Sequence, residues 1–316
     1  MTDNRDIFIQ LLETKKLPTP SETALDVMRL CQNESVSLND IAERIQTDPA
    51  LSAELIKYAN SAFMSTGIQV ASVQKATVKL GMKTVVNLAL GFSLISHNKE
   101  GKCESFNYPD FWSKSLTLAL AAKTIAGHIK AFNPEELFIC GLLAHMGELA
   151  FATLFPKEYA IILDRQLSSL ELKKQEKETF EIDSSELTVE LFLDWGLPAH
   201  FALAAGFYED LDADELGEST TKKVAELLNY AEQIALLCHS KHPSPKDLEA
   251  IEERATAFNI EKETFRAVFD EIITLRHDWS TKSKISAISC PSYDAIKAAT
   301  KLNKEEVNGK TTRQVS

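Results

Sequence analysis

The chain is poor in the residues that build turns and loops. Its 316 residues include only 11 glycines and 10 prolines, which argues against a loop-rich all-β protein and against a low-complexity chain. Neither an internal repeat nor strand-like alternation of apolar and polar residues is present. With 44% hydrophobic and 25% charged residues, the composition is globular, and the length suits two modest domains or one large one.

Cysteine is scarce, and long apolar runs are missing. The five cysteines are odd in number, widely scattered and never in a C-x-x-C pair, so neither a zinc site nor a disulfide framework is indicated. Reduced thiols are typical of cytosolic proteins. The N-terminus lacks an apolar signal core, and we expect no apolar run near the ~20 residues that span a bilayer. These absences predict a soluble, cytoplasmic protein with no membrane partner.

Excess basic charge and phosphate-binding loops are also missing. The net charge is −12 and the pI is about 5.2, which disfavours non-specific binding to nucleic acid or anionic membranes. The chain has no Gly-rich phosphate loop and no G-x-S-x-G elbow. Binding to nucleic acid through small helices and the basic residues of the C-terminal tail is therefore the least favoured function.

What the sequence does contain is helix signals from one end to the other. Apolar residues recur at helical spacing, and Ser37, Asp48 and Ser72 stand at positions that cap helices. Short helices with short connections imply an orthogonal bundle. We predict an all-α fold of two packed helical subdomains, 1–97 and 110–279. A polar, mildly basic tail, 280–316, is expected to be loose or to hold one short helix near 293–302.

Residues 138–149 read as one buried helix with a histidine between two glycines. Gly141 and Gly147 lie six residues apart around His145. Glycine inside a helix costs about 0.5–1 kcal/mol relative to alanine. Two glycines in one apolar helix therefore predict that another helix or a ligand comes close to it.

Four patches, in order along the chain, resemble the HDOD family (HD-related output domain). They are residues 17–20 (LPTP), 45–51 (IQTDPAL), 58–63 (YANSAF) and 72–81 (SVQKATVKLG). The resemblance continues at 111–112, 141–143 and 195–198 and covers about 17–210. It implies a second subdomain that is similar to HD-type metal phosphohydrolases. It also implies a role in bacterial signal transduction.

The resemblance also assigns the positions at which an active HD domain holds its metals. The first ligand corresponds to Lys114, the His-Asp pair to Ala144 and His145, a helix-opening His to Ser184, paired His residues to Phe207 and Tyr208, and a final Asp to Glu232. An ammonium at the first position repels a divalent cation and has no acceptor for it. Only His145 and Glu232 retain ligand chemistry, whereas catalytic sites normally have three protein ligands or more. We therefore predict a degenerate site with no metal, no cofactor and no catalysis.

Three functions remain to be compared. The leading hypothesis is a non-catalytic regulator that binds a protein partner or a small signalling ligand in a groove between residues 17–97 and 110–210. The alternative is a divergent phosphohydrolase that uses His145, Glu232 and Asp183; nucleic-acid binding comes last. His145 itself has two interpretations, a buried or groove histidine bonded to a backbone carbonyl, or a ligand-binding or pH-sensitive group. The ligand, the partner and the oligomeric state stay open.

Overall fold

The computed structural model describes residues 4–14, 16–31, 33, 35–61, 69–217, 220–283 and 289–298. Within these ranges the regular structure is entirely helical, as predicted. Sixteen helices follow one another along the chain: α1 Asn4–Glu13, α2 Glu22–Cys31, α3 Leu38–Gln46, α4 Pro49–Ala59, α5 Val73–Leu80, α6 Met82–His97, α7 Tyr108–Ile129, α8 Pro134–Leu143, α9 Met146–Leu154, α10 Pro156–Leu163, α11 Ser169–Phe180, α12 Ser184–Asp194, α13 Ala199–Phe207, α14 Thr220–His239, α15 Pro245–Arg254 and α16 Lys262–Ser283. A further short helix covers 293–298.

The helix starts follow the capping signals of the sequence. Ser37 forms a capping box with Asp40 at the start of α3, and the Asp48 carboxylate accepts a hydrogen bond from the third residue of α4. These side chains satisfy backbone N–H groups that have no partner within the helix. The sequence TPSE at 19–22 suggests Thr19 as the cap of α2, but this suggestion is wrong. The Thr19 hydroxyl donates to the Leu17 carbonyl, and Ser21 caps α2 instead.

The predicted single helix over 138–149 is two helices. Helix α8 ends at Leu143 and α9 begins at Met146, with Ala144 and His145 in the turn between them. In a continuous helix the Gly147 N–H would bond the carbonyl four residues earlier. Here it donates to the Thr188 hydroxyl of α12 at 2.9 Å. A side chain from a distant helix thus holds the break that places His145 at the start of α9.

Neighbouring helices come close to the chain at both glycines of this stretch, as predicted. A Cβ added at Gly141 would lie 3.0 Å from the Cα of Ala119 on α7. A Cβ added at Gly147 would lie 1.9 Å from the carbonyl oxygen of Ser184, the first residue of α12. Both glycines therefore serve helix packing, and the second one permits backbone contact between α9 and α12.

A buried ion pair fastens the N-terminal helices to α7 and α8. The Lys123 side chain is 1% exposed, and its Nζ lies 2.5 Å from Glu135 Oε1. It also donates a hydrogen bond to the Tyr58 hydroxyl of α4, which in turn donates to Glu135 Oε2 at 3.0 Å. The rings of Phe138 and Trp279 pack against Tyr58. This polar contact within an aromatic surrounding joins residues from both predicted subdomains.

One stretch of the chain is longer and more apolar than the sequence predicted. By length and composition the 21 residues Pro134–Leu154 pass a test for membrane-spanning helices, with a mean hydropathy of 1.7. Of the most apolar residues of this stretch, 78% are buried inside the protein, as is usual for helices that form a core, and the stretch is divided between α8 and α9. Helices α5 and α6 pass only as a pair, and they are bent by 117°. The expectation that no apolar run approaches this length was wrong, and the apolar surface is used for the core.

Some predicted features fall partly or wholly outside the described residues. A loop that the sequence predicts through Gly67, the last two residues of the 58–63 patch, and residues 284–288 and 299–316 of the tail lie outside them. Helix α16 continues to Ser283, past the predicted start of the tail at 280. The helix over 293–298 falls where a short helix was predicted near 293–302. The subdomain boundaries stay a prediction.

Candidate functional site

The centre of the site is a hydrogen bond between His145 and Tyr208. His145 stands at the start of α9, and Tyr208 follows the last residue of α13. The His145 Nε2 and the Tyr208 hydroxyl are 2.7 Å apart, and Tyr208 is buried. A backbone carbonyl was the partner in one of the two interpretations of His145, and the structure has the Tyr208 hydroxyl in its place. The break between α8 and α9 aims the imidazole at the end of α13.

Lys114 is held by an ion pair on its own helix. Its Nζ lies 2.8 Å from Asp110 Oδ2, one turn earlier on α7, and its side chain is 45% exposed. Its charge also acts on the nearby carboxyl groups of Glu148 and Glu232, where it favours the ionised form. The first of the HD positions therefore contributes a positive charge to the site.

Glu232 contributes a buried oxygen without a partner. Among the described residues nothing forms a hydrogen bond with its Oε2, and burial raises the pKa of this carboxyl to about 7, although His145 opposes the shift. An unbonded buried carboxylate is costly, so the proton is retained more strongly than in water. Glu232 of α14 thus faces the site in a form that changes charge near neutral pH.

The remaining predicted residues line the site or support it. Ser184 begins α12, and its N–H donates to Glu176 Oε2 at 2.9 Å. Ala144 is buried in the turn before His145. Phe207 is half-buried at the end of α13 and lines a groove of about 930 Å³ between α11, α12, α13 and α14. Ala144, Ser184 and Tyr208 also surround a smaller cavity of about 20 Å³, which is room for one water molecule.

Sequence reasoning missed two acidic residues of this site. Glu148 lies one turn after His145, and burial raises its pKa to about 7. It is the only charged residue in the apolar helix α9, a signal that could have identified it. Glu209 follows Tyr208 directly and forms an ion pair with Lys173 at 2.6 Å. Burial acts to raise its pKa, but Lys173 holds it below the usual value.

These residues do not fit a catalytic metal. Among the residues that the structure describes, no group of three or more His, Cys, Asp or Glu side chains is arranged to hold a metal ion. His145 Nε2 is engaged by Tyr208, and Lys114 adds a positive charge where a cation would have to bind. Asp183 is used as the N-cap of α12. The arrangement supports hydrogen bonding and the recognition of charged groups. It does not support a catalytic step at a metal ion.

The buried carboxyl groups predict a pH-dependent stability. Glu176 is fully buried, and burial raises its pKa from 4.5 to about 7. Because the folded state binds the proton more tightly, this contribution is fully present below pH ~4.5 and is lost as the pH rises through 7. The free energy of unfolding should fall on the order of 3 kcal/mol across this window from Glu176 alone.

Denaturant unfolding at intervals from pH 5 to 8 measures this effect. Glu176→Gln keeps the acceptor for the Ser184 N–H. Its new NH₂ group can donate to the Tyr159 hydroxyl, which in the wild type donates to Glu176, so the variant should stay folded and lose that part of the slope. Glu178→Gln, on the exposed side of the same helix, is the matched control and should keep it. An unchanged slope in Glu176→Gln would contradict the assignment.

Comparisons with known proteins agree with this fold. A family model described as the HDOD domain matches residues 17–211. The fold defines an all-α protein of the HD type, and the match shows that the chain belongs to the HDOD family. Both conclusions confirm the resemblance found in the sequence.

Individual relatives extend the comparison. The MmoQ response regulator of Methylococcus capsulatus strain Bath is 35% identical over 80% of this chain and 98% of its own, with a TM-score of 0.51. An HDOD domain protein of unknown function from Geobacter sulfurreducens has a TM-score of 0.71 over 88% of this chain and 98% of its own. At 18% identity that likeness shows the fold alone.

A curated relative is longer than this chain. It is an uncharacterized protein of Treponema pallidum (strain Nichols), 26% identical over 227 residues. The match covers 66% of this chain but only 42% of that protein, so this chain spans less than half of it. Family membership and the likeness to a response regulator together support a regulatory role.

Proposed function

We propose that this HDOD protein is a non-catalytic regulator of bacterial signal transduction that acts by binding a protein or a small signalling ligand. The observation that carries the proposal is the 2.7 Å hydrogen bond between His145 and Tyr208. It engages the one imidazole that stands at an HD ligand position. The ion pair of Lys114 with Asp110 adds a second group that is satisfied without a metal.

The surroundings of this hydrogen bond suit recognition. The groove of about 930 Å³ beside Tyr208 carries lysines of α11, two acidic residues directly after Tyr208, Glu232 of α14, and two leucines. Leu170 and Leu236 are 81% and 54% exposed. Exposed leucines next to charges of both signs are features of a surface that binds a partner. A signal would then act through occupancy of the site rather than through turnover.

Metal analysis together with a phosphoester assay tests the proposal. The purified protein should carry no stoichiometric Mn, Fe, Mg or Zn, and it should turn over none of a broad phosphoester panel with any of these metals added. Near one metal per chain together with phosphodiesterase turnover would contradict it.

The unpartnered Oε2 of Glu232 favours a second candidate, a divergent metal-dependent phosphohydrolase. It predicts hydrolysis that needs His145, Glu232 and Asp183. His145→Ala should then abolish metal-dependent turnover, and His200→Ala on α13 should retain it. Turnover that survives His145→Ala would be assigned to a contaminating enzyme and would remove this candidate.

A further inference from the structure

A further cavity lies apart from the His145–Tyr208 site. It is formed by α2 and α6 on one side and by α8, α12 and the start of α13 on the other, and its volume is about 290 Å³. Its walls are mostly apolar, with side chains Met82, Val86, Ile139, Phe192, Leu197 and Phe201. This volume is just below the roughly 300–1,000 Å³ of small-molecule sites. We call it the apolar pocket; its size suits a small ligand.

The polar groups of the apolar pocket lie along α6 and the start of α8. Lys83 and Asn87 are one turn apart on α6 and therefore share a face. The Lys83 Nζ lies 3.7 Å from Glu136 Oε1 on α8. Among the described residues none hydrogen-bonds the side-chain amide of Asn87. The side-chain amide of Asn87 can therefore both donate a hydrogen bond to a ligand in the pocket and accept one from it.

The charges of the pocket select against ionic ligands. Lys83 and Glu136 are its only charged lining residues, and they face each other. The Lys83 side chain is 80% exposed, so its charge is largely screened by water, and recognition of phosphate usually takes several unpaired donors. A carboxylate head would also lie beside the Glu136 carboxylate, which repels it. An uncharged head that offers a donor and an acceptor matches Asn87 without breaking the ion pair.

We propose that the apolar pocket binds an uncharged amphipathic small molecule. Its acyl or aromatic body fills the cavity, and its amide or hydroxyl head pairs with Asn87. The proposal goes beyond the proposed function, since the pocket lies apart from the His145–Tyr208 site, and it names a ligand class for this pocket. Because the pocket is lined by helices from both halves of the chain, a bound ligand adds contacts between them and stabilises their packing.

Cys31 provides a readout within the pocket. It lines the cavity and is half-buried, whereas the other four cysteines are buried. Burial raises the pKa of the Cys31 thiol to about 11, so this thiol reacts slowly with a disulfide reagent. The reagent is nevertheless selective for Cys31, because the other cysteines are less accessible. Octanamide at saturation should slow this reaction about tenfold and raise the melting temperature. Octanoate and cyclic di-GMP should do neither.

Variants on neighbouring helices complete the test. Val86→Phe fills the pocket and should abolish protection by octanamide. Val78→Phe places the same side chain at an exposed valine of α5 and should keep it. Asn87→Ala should weaken octanamide binding about 5- to 10-fold, the effect of one hydrogen bond, and it keeps the test informative if Val86→Phe does not fold.

Three results would overturn the assignment: no protection of Cys31 by octanamide, equal protection in Val86→Phe, or octanoate binding as tightly as octanamide. Each would leave the proposed regulatory function intact. Metal-dependent phosphoester turnover would instead overturn the proposed function and leave the octanamide result standing.

Discussion

Replacing Gly147 with alanine should destabilise the protein by about 3 kcal/mol or more, at the upper end of overpacking effects. The added Cβ would lie 1.9 Å from the carbonyl oxygen of Ser184. That neighbour is backbone at the start of α12, so no side-chain rotation relieves the clash. Helices α9 and α12 must separate, and the hydrogen bond from Gly147 N to Thr188 is strained with them. Equilibrium unfolding in denaturant measures the loss.

Gly127 offers a matched control in a helix of the same protein. A Cβ at this position of α7 meets nothing closer than Pro134 Cγ at 3.9 Å. Gly127→Ala should therefore stabilise the protein by about 0.5–1 kcal/mol, since alanine has the better helix propensity. The same substitution thus has opposite signs at the two sites. A Gly147→Ala variant as stable as the wild type would show that α9 and α12 do not pack as described.

The second large effect concerns Glu135. Glu135→Gln removes the carboxylate partner of Lys123 without a change of shape, and it should cost about 1–3 kcal/mol, the range for leaving a buried polar group without its partner; the roughly 3–5 kcal/mol of a buried unpaired charge is not reached, because the amine can release its proton instead. Burial lowers the pKa of Lys123 to about 8, while Glu135 opposes the shift. The cost should shrink at pH 9.5, where the folded protein holds the amine neutral with or without Glu135. Unfolding at pH 7 and 9.5 measures both values.

Two further variants test the cause of this loss. The double variant Lys123→Met with Glu135→Gln should be more stable than Glu135→Gln alone, because no unpaired charge remains buried. Glu54→Gln breaks an exposed pair with Lys57 and should cost less than about 1 kcal/mol. If Glu135→Gln behaves like Glu54→Gln, the buried pair is not formed as described.

The sequence could predict which residues belong to the candidate site, but it could not predict the contacts between them. The HD positions pointed to His145, Tyr208 and Glu232, and their grouping follows the helices that the family resemblance implied. The hydrogen bond between His145 and Tyr208 could not be anticipated. It depends on the break between α8 and α9, which a hydroxyl 41 residues away, that of Thr188, holds in place.

Glu148 is a single charged residue in an apolar helix, and this pattern could have identified it as a site residue. Its place in an apolar helix was visible in the sequence, but its raised pKa depends on burial. The apolar pocket shows the same limit. The spacing of Lys83 and Asn87 on α6 is a local property, whereas the pairing of Lys83 with Glu136 joins two helices that are distant in the chain.

The sequence by itself determined the all-α class and the starts of α3 and α4, because helical periodicity and capping act over a few residues. It also determined membership of the HDOD family, through four short patches in the family's order. It also determined that Gly141 and Gly147 must admit close neighbours. Only the tertiary structure decided which backbones come close to them, where the apolar helix breaks, and which partners His145 and Lys123 receive. Those outcomes depend on side chains that meet across long sequence separations, and local patterns carry no record of such contacts.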